Sequence, residues 1–189
     1  MGDNNARRLQ KRIYKNPYFI GRRKENIMAK LNRSALIHWI DATPSSTATW
    51  FKIGKDVEDM SVELNAQMTT RKNILDETSV LHEGYEPQFS VDTYFADPSD
   101  AIYDLVEGIA LGRLKGDACK TKVLECIIEN TSASSHEAYQ EDVIIEVTSY
   151  GGSQTGVAIP YTVHFDGNRV AGTVAINSTT GVPTFTPTT

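Results

Sequence analysis

The chain has 189 residues, 40% of them hydrophobic, and a formal net charge of −5. That apolar content supports a core in one domain with an extension, and the absence of any run of about 18 apolar residues excludes a membrane-spanning helix. The charged N-terminus lacks an apolar h-region, so neither a signal peptide nor a membrane role is expected.

The charge is divided along the chain. Residues 1–33 hold ten Lys/Arg against Asp3 and Glu25, a balance of +8; the remainder holds nine basic and 22 acidic residues, or −13. Residues 1–46 therefore read as a basic arm and linker, with apolar islands at Asn16–Gly21 and Ser34–Ile40 and breakers at Pro17 and Pro44. Arg7, Arg8, Arg12, Arg22 and Arg23 are its candidate docking contacts. Tyr14, Tyr18 and Phe19 leave base stacking open, but the acidic body of the same chain is the preferred surface.

From residue 47 to 176 the pattern is β. Thr49–Ile53 reads as a short strand, followed by a long one closing at Thr69. Within it, Met60, Val62, Leu64, Ala66 and Met68 alternate with Ser61, Glu63, Asn65, Gln67 and Thr69 for ten residues without error. The apolar set is expected in the core and the polar set outside. Thr70–Pro87 reads as a long polar loop, with Lys72, Ile74, Leu75, Val80 and Leu81 as candidate contacts. Gln88–Phe95 alternates again, with Phe89, Val91 and Phe95 assigned inward and Ser90 and Asp92 outward.

One helix follows. Asp97 is its expected N-cap and Pro98 its first residue. Ile102, Leu105, Val106, Ile109 and Ala110 form its packed stripe, and Gly116 is its expected end. Gly108, Gly112 and Gly116 recur every four residues and read as a close backbone approach. Strands are expected at Cys119–Glu129, Asp142–Tyr150, Gly156–Phe165 and Arg169–Ile176, the last two joined by a hairpin turn at Asp166–Asn168. Residues 177–189 read as an extended tail. Cys119 and Cys126 lie seven apart, on opposite faces of a strand, so they are expected as free thiols.

No chemistry-bearing constellation appears. The four histidines lack metal-ligand spacing, and there is no nucleophile elbow, phosphate-cradling loop or distinct carboxylate pair. No catalytic, cofactor-binding or metal-binding residue is assigned, and an enzyme is not expected.

The block Leu81–Ile109 resembles the tail tube (major tail) proteins of long-tailed bacteriophages. Tyr85, Pro87, Phe89 and Val91 match that family's strand, while Asp97, Pro98, Ile102 and Leu105 match its helix. Cys119–Glu129 and the later strands extend the similarity over about residues 50–176; the long basic arm departs from the simplest members. About seven strands, one helix and many turns already read as a mainly β fold, a β-sandwich with one flanking α-helix, and the resemblance implies the same. It further implies hexameric rings that stack into a tube in the virion tail, made in the bacterial host cytoplasm. Itself and other tail proteins (tape measure, tail terminator, baseplate or distal tail proteins) are then the partners, and DNA passes through the lumen without specific binding. On that reading Ser61, Glu63, Asn65, Gln67, Thr69, Ser90 and Asp92 line the lumen, and the Thr70–Pro87 loop joins stacked rings. Two other classes stay open: a nucleic-acid-binding virion or adaptor module using the arm, and a β-sandwich ligand-binding module.

Overall fold

The computed structural model describes residues 30–188. The arm candidates Arg7, Arg8, Arg12, Arg22 and Arg23 lie outside the described residues. The described part is mainly β with one α-helix. Its strands are β1 (Leu36–Asp41), β2 (Trp50–Lys52), β3 (Ala66–Lys72), β4 (Thr78–Tyr85), β5 (Gln88–Val91), β6 (Lys120–Ile127), β7 (His136–Val147), β8 (Gly151–Ser153), β9 (Gly156–Ala158), β10 (Tyr161–Ile176) and β11 (Pro183–Pro187), and the helix α1 (Tyr103–Gly112) lies between β5 and β6. An antiparallel sheet runs β11-β10-β7-β6-β1-β2, with β5 also on β10. Two hairpins, β3–β4 and β8–β9, form separate two-stranded sheets.

Apolar clusters lie on both faces of the main sheet. One face, with Ile40, Phe89, Val123, Val143, Ile145 and Val163, packs with Ile102, just before α1, and with Val106, Ile109 and Ala110 on it. The other carries a smaller cluster built on Ile37, Trp39, Leu124, Cys126, Ala138 and Val174. Strand β1 serves both clusters, so its residues from Ile37 to Asp41 are all buried. A strand buried on both faces shows no alternation, which is why Ser34–Ile40 read as an island in the arm. The Asp41 carboxylate then shapes the turn into β2 by accepting the Thr43 and Thr49 backbone N–H groups at 2.9 and 3.0 Å.

Several expectations are corrected. The ten-residue strand breaks at Asn65, whose φ of 45° is left-handed, and regular pairing with β4 starts only at Ala66. Met60 is buried and Val62 is packed on the core, but Leu64 and Met68 are exposed. The expected loop Thr70–Pro87 is mostly strand: it completes β3, turns at 73–77 and returns as β4. After Val91 the chain leaves the sheet, so Tyr94 is buried and Phe95 is not.

Asp166-Gly167-Asn168 is a bulge rather than a hairpin turn. Gly167 (φ 89°) and Asn168 (φ 53°) take positive φ, yet β10 continues through them and stays paired with β7 on both sides, with register shifts at Phe165/Gly167 and Gly167/Val170. The bulge re-aims the strand: its first half carries β5 and its second half β11.

Helix α1 starts at Tyr103, not Pro98. The Asp97 carboxylate accepts the Ser99 backbone N–H (2.9 Å) and hydroxyl (2.7 Å), closing a local turn instead of capping a helix. The helix ends on Arg113 in the left-handed conformation, well before Gly116. Gly108 and Gly116 have open space where a Cβ would sit, so no close approach explains them. Cys119 and Cys126 are buried free thiols, and burial pushes the Cys126 thiol up to about 11.

Candidate assembly surfaces

The residues preceding β3 meet β5 through the Glu63–Gln88 bridge, closed by two backbone hydrogen bonds of 2.8 and 2.9 Å. β5 pairs β10 as Ser90↔Thr162 and Gln88↔His164, and β10 pairs β7 as Thr162↔Glu146 and His164↔Ile144. Residues opposite one another in antiparallel strands share a face. Glu63, Gln88, Ser90, Thr162, His164 and Glu146 therefore form one mostly polar wall, while Phe89, Val91, Val163 and Ile145 behind them are buried.

Side-chain hydrogen bonds cross this wall. Ser90 and Thr162 hydroxyls lie 3.0 Å apart, His164 Nε2 is 2.7 Å from Glu146, and Gln88 donates to Glu63 at 3.4 Å. On β6, Lys120 and Lys122 face the same side through Lys120↔Ile144 and Lys122↔Asp142. Lys120 is held by Asp117 and Asp166.

The sequence-assigned outward residues divide into three groups. Glu63 and Ser90 sit in the wall; Asn65, Gln67 and Thr69 lie at the base and on the stem of the β3–β4 hairpin; Ser61 is exposed beside Met60. Asp92 is exposed in the segment after β5, off the ladder, because the chain bends away there. Thr162, His164 and Glu146 were missed. Their alternation in "YTVHF" and "VIIEV" was visible, but nothing local showed that these strands join β5.

The hairpin has a built base and a built tip. At the base Asn65 Nδ2 donates to the Glu86 carbonyl and Gln67 Nε2 to the Glu86 carboxylate, both at 3.1 Å. At the tip Asn73 Oδ1 accepts the Leu75 and Glu77 backbone N–H groups at 2.9 and 3.0 Å, and Lys72 pairs with Asp76 at 2.8 Å. This turn presents Ile74 (100% exposed) and Leu75 (72%) to solvent. Along the stem Met68, Thr70, Val80 and His82 share one face; Thr69, Arg71, Ser79 and Leu81 share the other. Met68, Val80 and Leu81 are exposed. All five sequence-assigned contact residues (Lys72, Ile74, Leu75, Val80 and Leu81) are on this hairpin.

A charged chain lies on the face of the sheet opposite the wall, where Glu141 stands beside Val123 and Glu125 beside Tyr139. Arg169, from the β10 bulge, bonds Glu125 (2.8 Å) and Glu141 (2.7 Å) and covers the Tyr139 ring at 4.4 Å. Glu125 also reaches buried His38 at 3.3 Å. Burial alone would push the Glu125 carboxyl up, but the His38 hydrogen bond and the Arg169 charge outweigh it and hold it below its ordinary value. Near α1, Lys55 bonds Asp97 (2.8 Å) and Asp100 (3.2 Å); its hydrogen bond holds the Asp97 carboxyl well below the usual range. No group of three or more potential metal ligands occurs among the described residues.

No protein-family model matches the chain, and no characterised protein matches it in sequence. Among solved structures, it is similar to the sheath/tube terminator of an extracellular contractile injection system, PVC, in the extended state. The TM-score is 0.46 and the identity 8%, over 77% of this chain and 98% of that one. It is also similar to the tail of an empty GTA particle with C6 symmetry, at TM-score 0.46 and 13% identity, over 83% of this chain and 99% of that one.

Proposed function

We propose that the chain is a structural subunit of a phage-type tail, and specifically a tube subunit that forms rings stacked around a DNA conduit. The β3–β4 hairpin carries this reading. Each of its strands has an outer edge unpaired among the described residues, both faces carry exposed apolar side chains, and a lone two-stranded hairpin is marginal in water. Edges of this kind invite pairing with another chain, and closure of a ring removes them. The resemblance of Leu81–Ile109 to tail tube proteins supports the same reading.

The proposed role is mechanical, not catalytic. The mixed polar wall of Glu63, Gln88, Ser90, Thr162, His164 and Glu146 faces the conduit; its carboxylates discourage phosphate binding while the neutral groups stay wet. The hairpin tip joins neighbouring rings, and other tail proteins bind the ends of the stack. The subunit accordingly resides in the virion tail.

Negative-stain microscopy and sedimentation of the full-length protein over a rising concentration series test this reading. Rings or tubes of uniform bore are expected. A strictly monomeric species at millimolar concentration in the presence of its tail partners overturns it.

A further inference from the structure

An apolar groove of about 270 Å³ lies between α1 and the β8–β9 hairpin, on neither the wall nor the β3–β4 hairpin. Ala110 and Ile159 form its buried floor, and Leu111, Tyr150 and Val157, each more than half exposed, form its rim. Exposed apolar side chains clustered around a concave surface mark an interaction site. A dry cavity of about 150 Å³ takes one benzene ring, so this groove has room for an aromatic side chain and its neighbour. Its charge is one-sided: Glu107 lines the groove, Asp104 is exposed one turn earlier on α1, and neither is held in an ion pair among the described residues. The cations that follow the helix, Arg113 and Lys115, do not line it.

We propose that this groove receives the Tyr18-Phe19-Ile20 segment of a neighbouring copy of the same chain. That segment is the aromatic island of residues 1–33, with Lys15 before it and Arg22, Arg23 and Lys24 after it. An apolar core flanked by cations is complementary to an apolar groove with carboxylates at its margin. Phe19 lies twelve positions before Leu31, a stretch that at about 3.3–3.6 Å per residue spans at most roughly 40 Å. Each copy then gives one segment and receives one. Such a heterologous contact closes into a ring when the rotation allows. The inference rests on the assembly reading above and adds a second inter-subunit contact to it.

The test uses the full chain with Phe19 replaced by photoreactive benzoylphenylalanine. Natural-abundance and 15N-labelled protein are mixed, assembled, irradiated and mapped by mass spectrometry. Crosslinks from position 19 to peptides holding Leu111, Tyr150 or Val157 are expected in mixed-isotope pairs. Their yield should fall at least about threefold between 50 and 500 mM salt, since the flanking charges are exposed. The double variant Leu111→Glu, Val157→Glu, at exposed positions, should lose these crosslinks while keeping the circular dichroism of the parent. Assemblies that form with crosslinks elsewhere, with none, or only within one isotope overturn the groove assignment and leave the assembly reading standing. Failure to assemble under any condition overturns both.

Discussion

The body of the molecule and the β3–β4 hairpin use the same alternating code to opposite ends. In β5, β7 and β10 the apolar half of the alternation closes over a core that includes Phe89, Val163 and Ile145. In the hairpin, Met68, Val80 and Leu81 obey the same period and meet solvent. An alternating strand states that one face wants cover, not which chain supplies it. The body closes its own core, whereas the hairpin is stabilised locally by its Asn65–Glu86 base and Asn73 tip and finds no cover for its apolar surface among the described residues.

Paired truncations sharpen that contrast most. Phe89→Ala removes a ring packed between His38 and Phe165, and should cost about 3–5 kcal/mol in urea unfolding. Val80→Ser in the hairpin should change the free subunit by no more than about 0.5 kcal/mol while reducing assembly measured by sedimentation. Equal losses of stability in both variants would erase the distinction between the two regions.

The charged chain gives the next largest effect. Arg169→Ala leaves the nearly buried Glu141 without its cation and Glu125 with only its His38 contact. Because the Arg169 side chain is itself 46% exposed, the cost should be roughly 2–3 kcal/mol, below the 3–5 of a fully buried pair. The Glu125 carboxyl is held low in the folded state. Its contribution is therefore complete above the ordinary carboxylate value, about 4.3, and is lost as pH falls through the folded value. Urea midpoints at pH 5 and pH 3 should fall further for the parent than for Glu125→Gln.

Gly172 tests the far edge of the body. A Cβ there would lie 2.4 Å from the Thr186 carbonyl oxygen and 2.6 Å from the Phe185 ring. Gly172→Val should release β11, read as faster amide exchange at Thr184, Phe185 and Thr186, with the β6–β7 amides unchanged. The smallest effect is a gain. Arg113 occupies the left-handed position that ends α1, a conformation costing roughly 1–2 kcal/mol for a side-chain-bearing residue. Arg113→Gly should recover part of that and raise the melting temperature by a few degrees, about 2–4 °C per kcal/mol at this size.

What the sequence by itself determined was what local physics decides. The alternation around Phe89 and Val91, the helical stripe of Val106, Ile109 and Ala110, and the outward placement of Glu63 and Ser90 follow from side-chain period. What the tertiary structure decided was every choice between local solutions of similar cost. Leu36–Asp41 became an inner strand because cores exist on both sides of it, and burial on two faces erases alternation. Asp-Gly-Asn suits a tight turn and a bulge equally, since both need positive φ; the long β7 strand settled it by pairing with both flanks. Thr70–Pro87 is polar enough for a loop, yet β3 offered its second half a ladder. The wall depends on β5 meeting β10 across some seventy residues of chain. Such pairing is set by the packed core rather than by near neighbours in sequence, which is why Thr162, His164 and Glu146 join the site only in three dimensions.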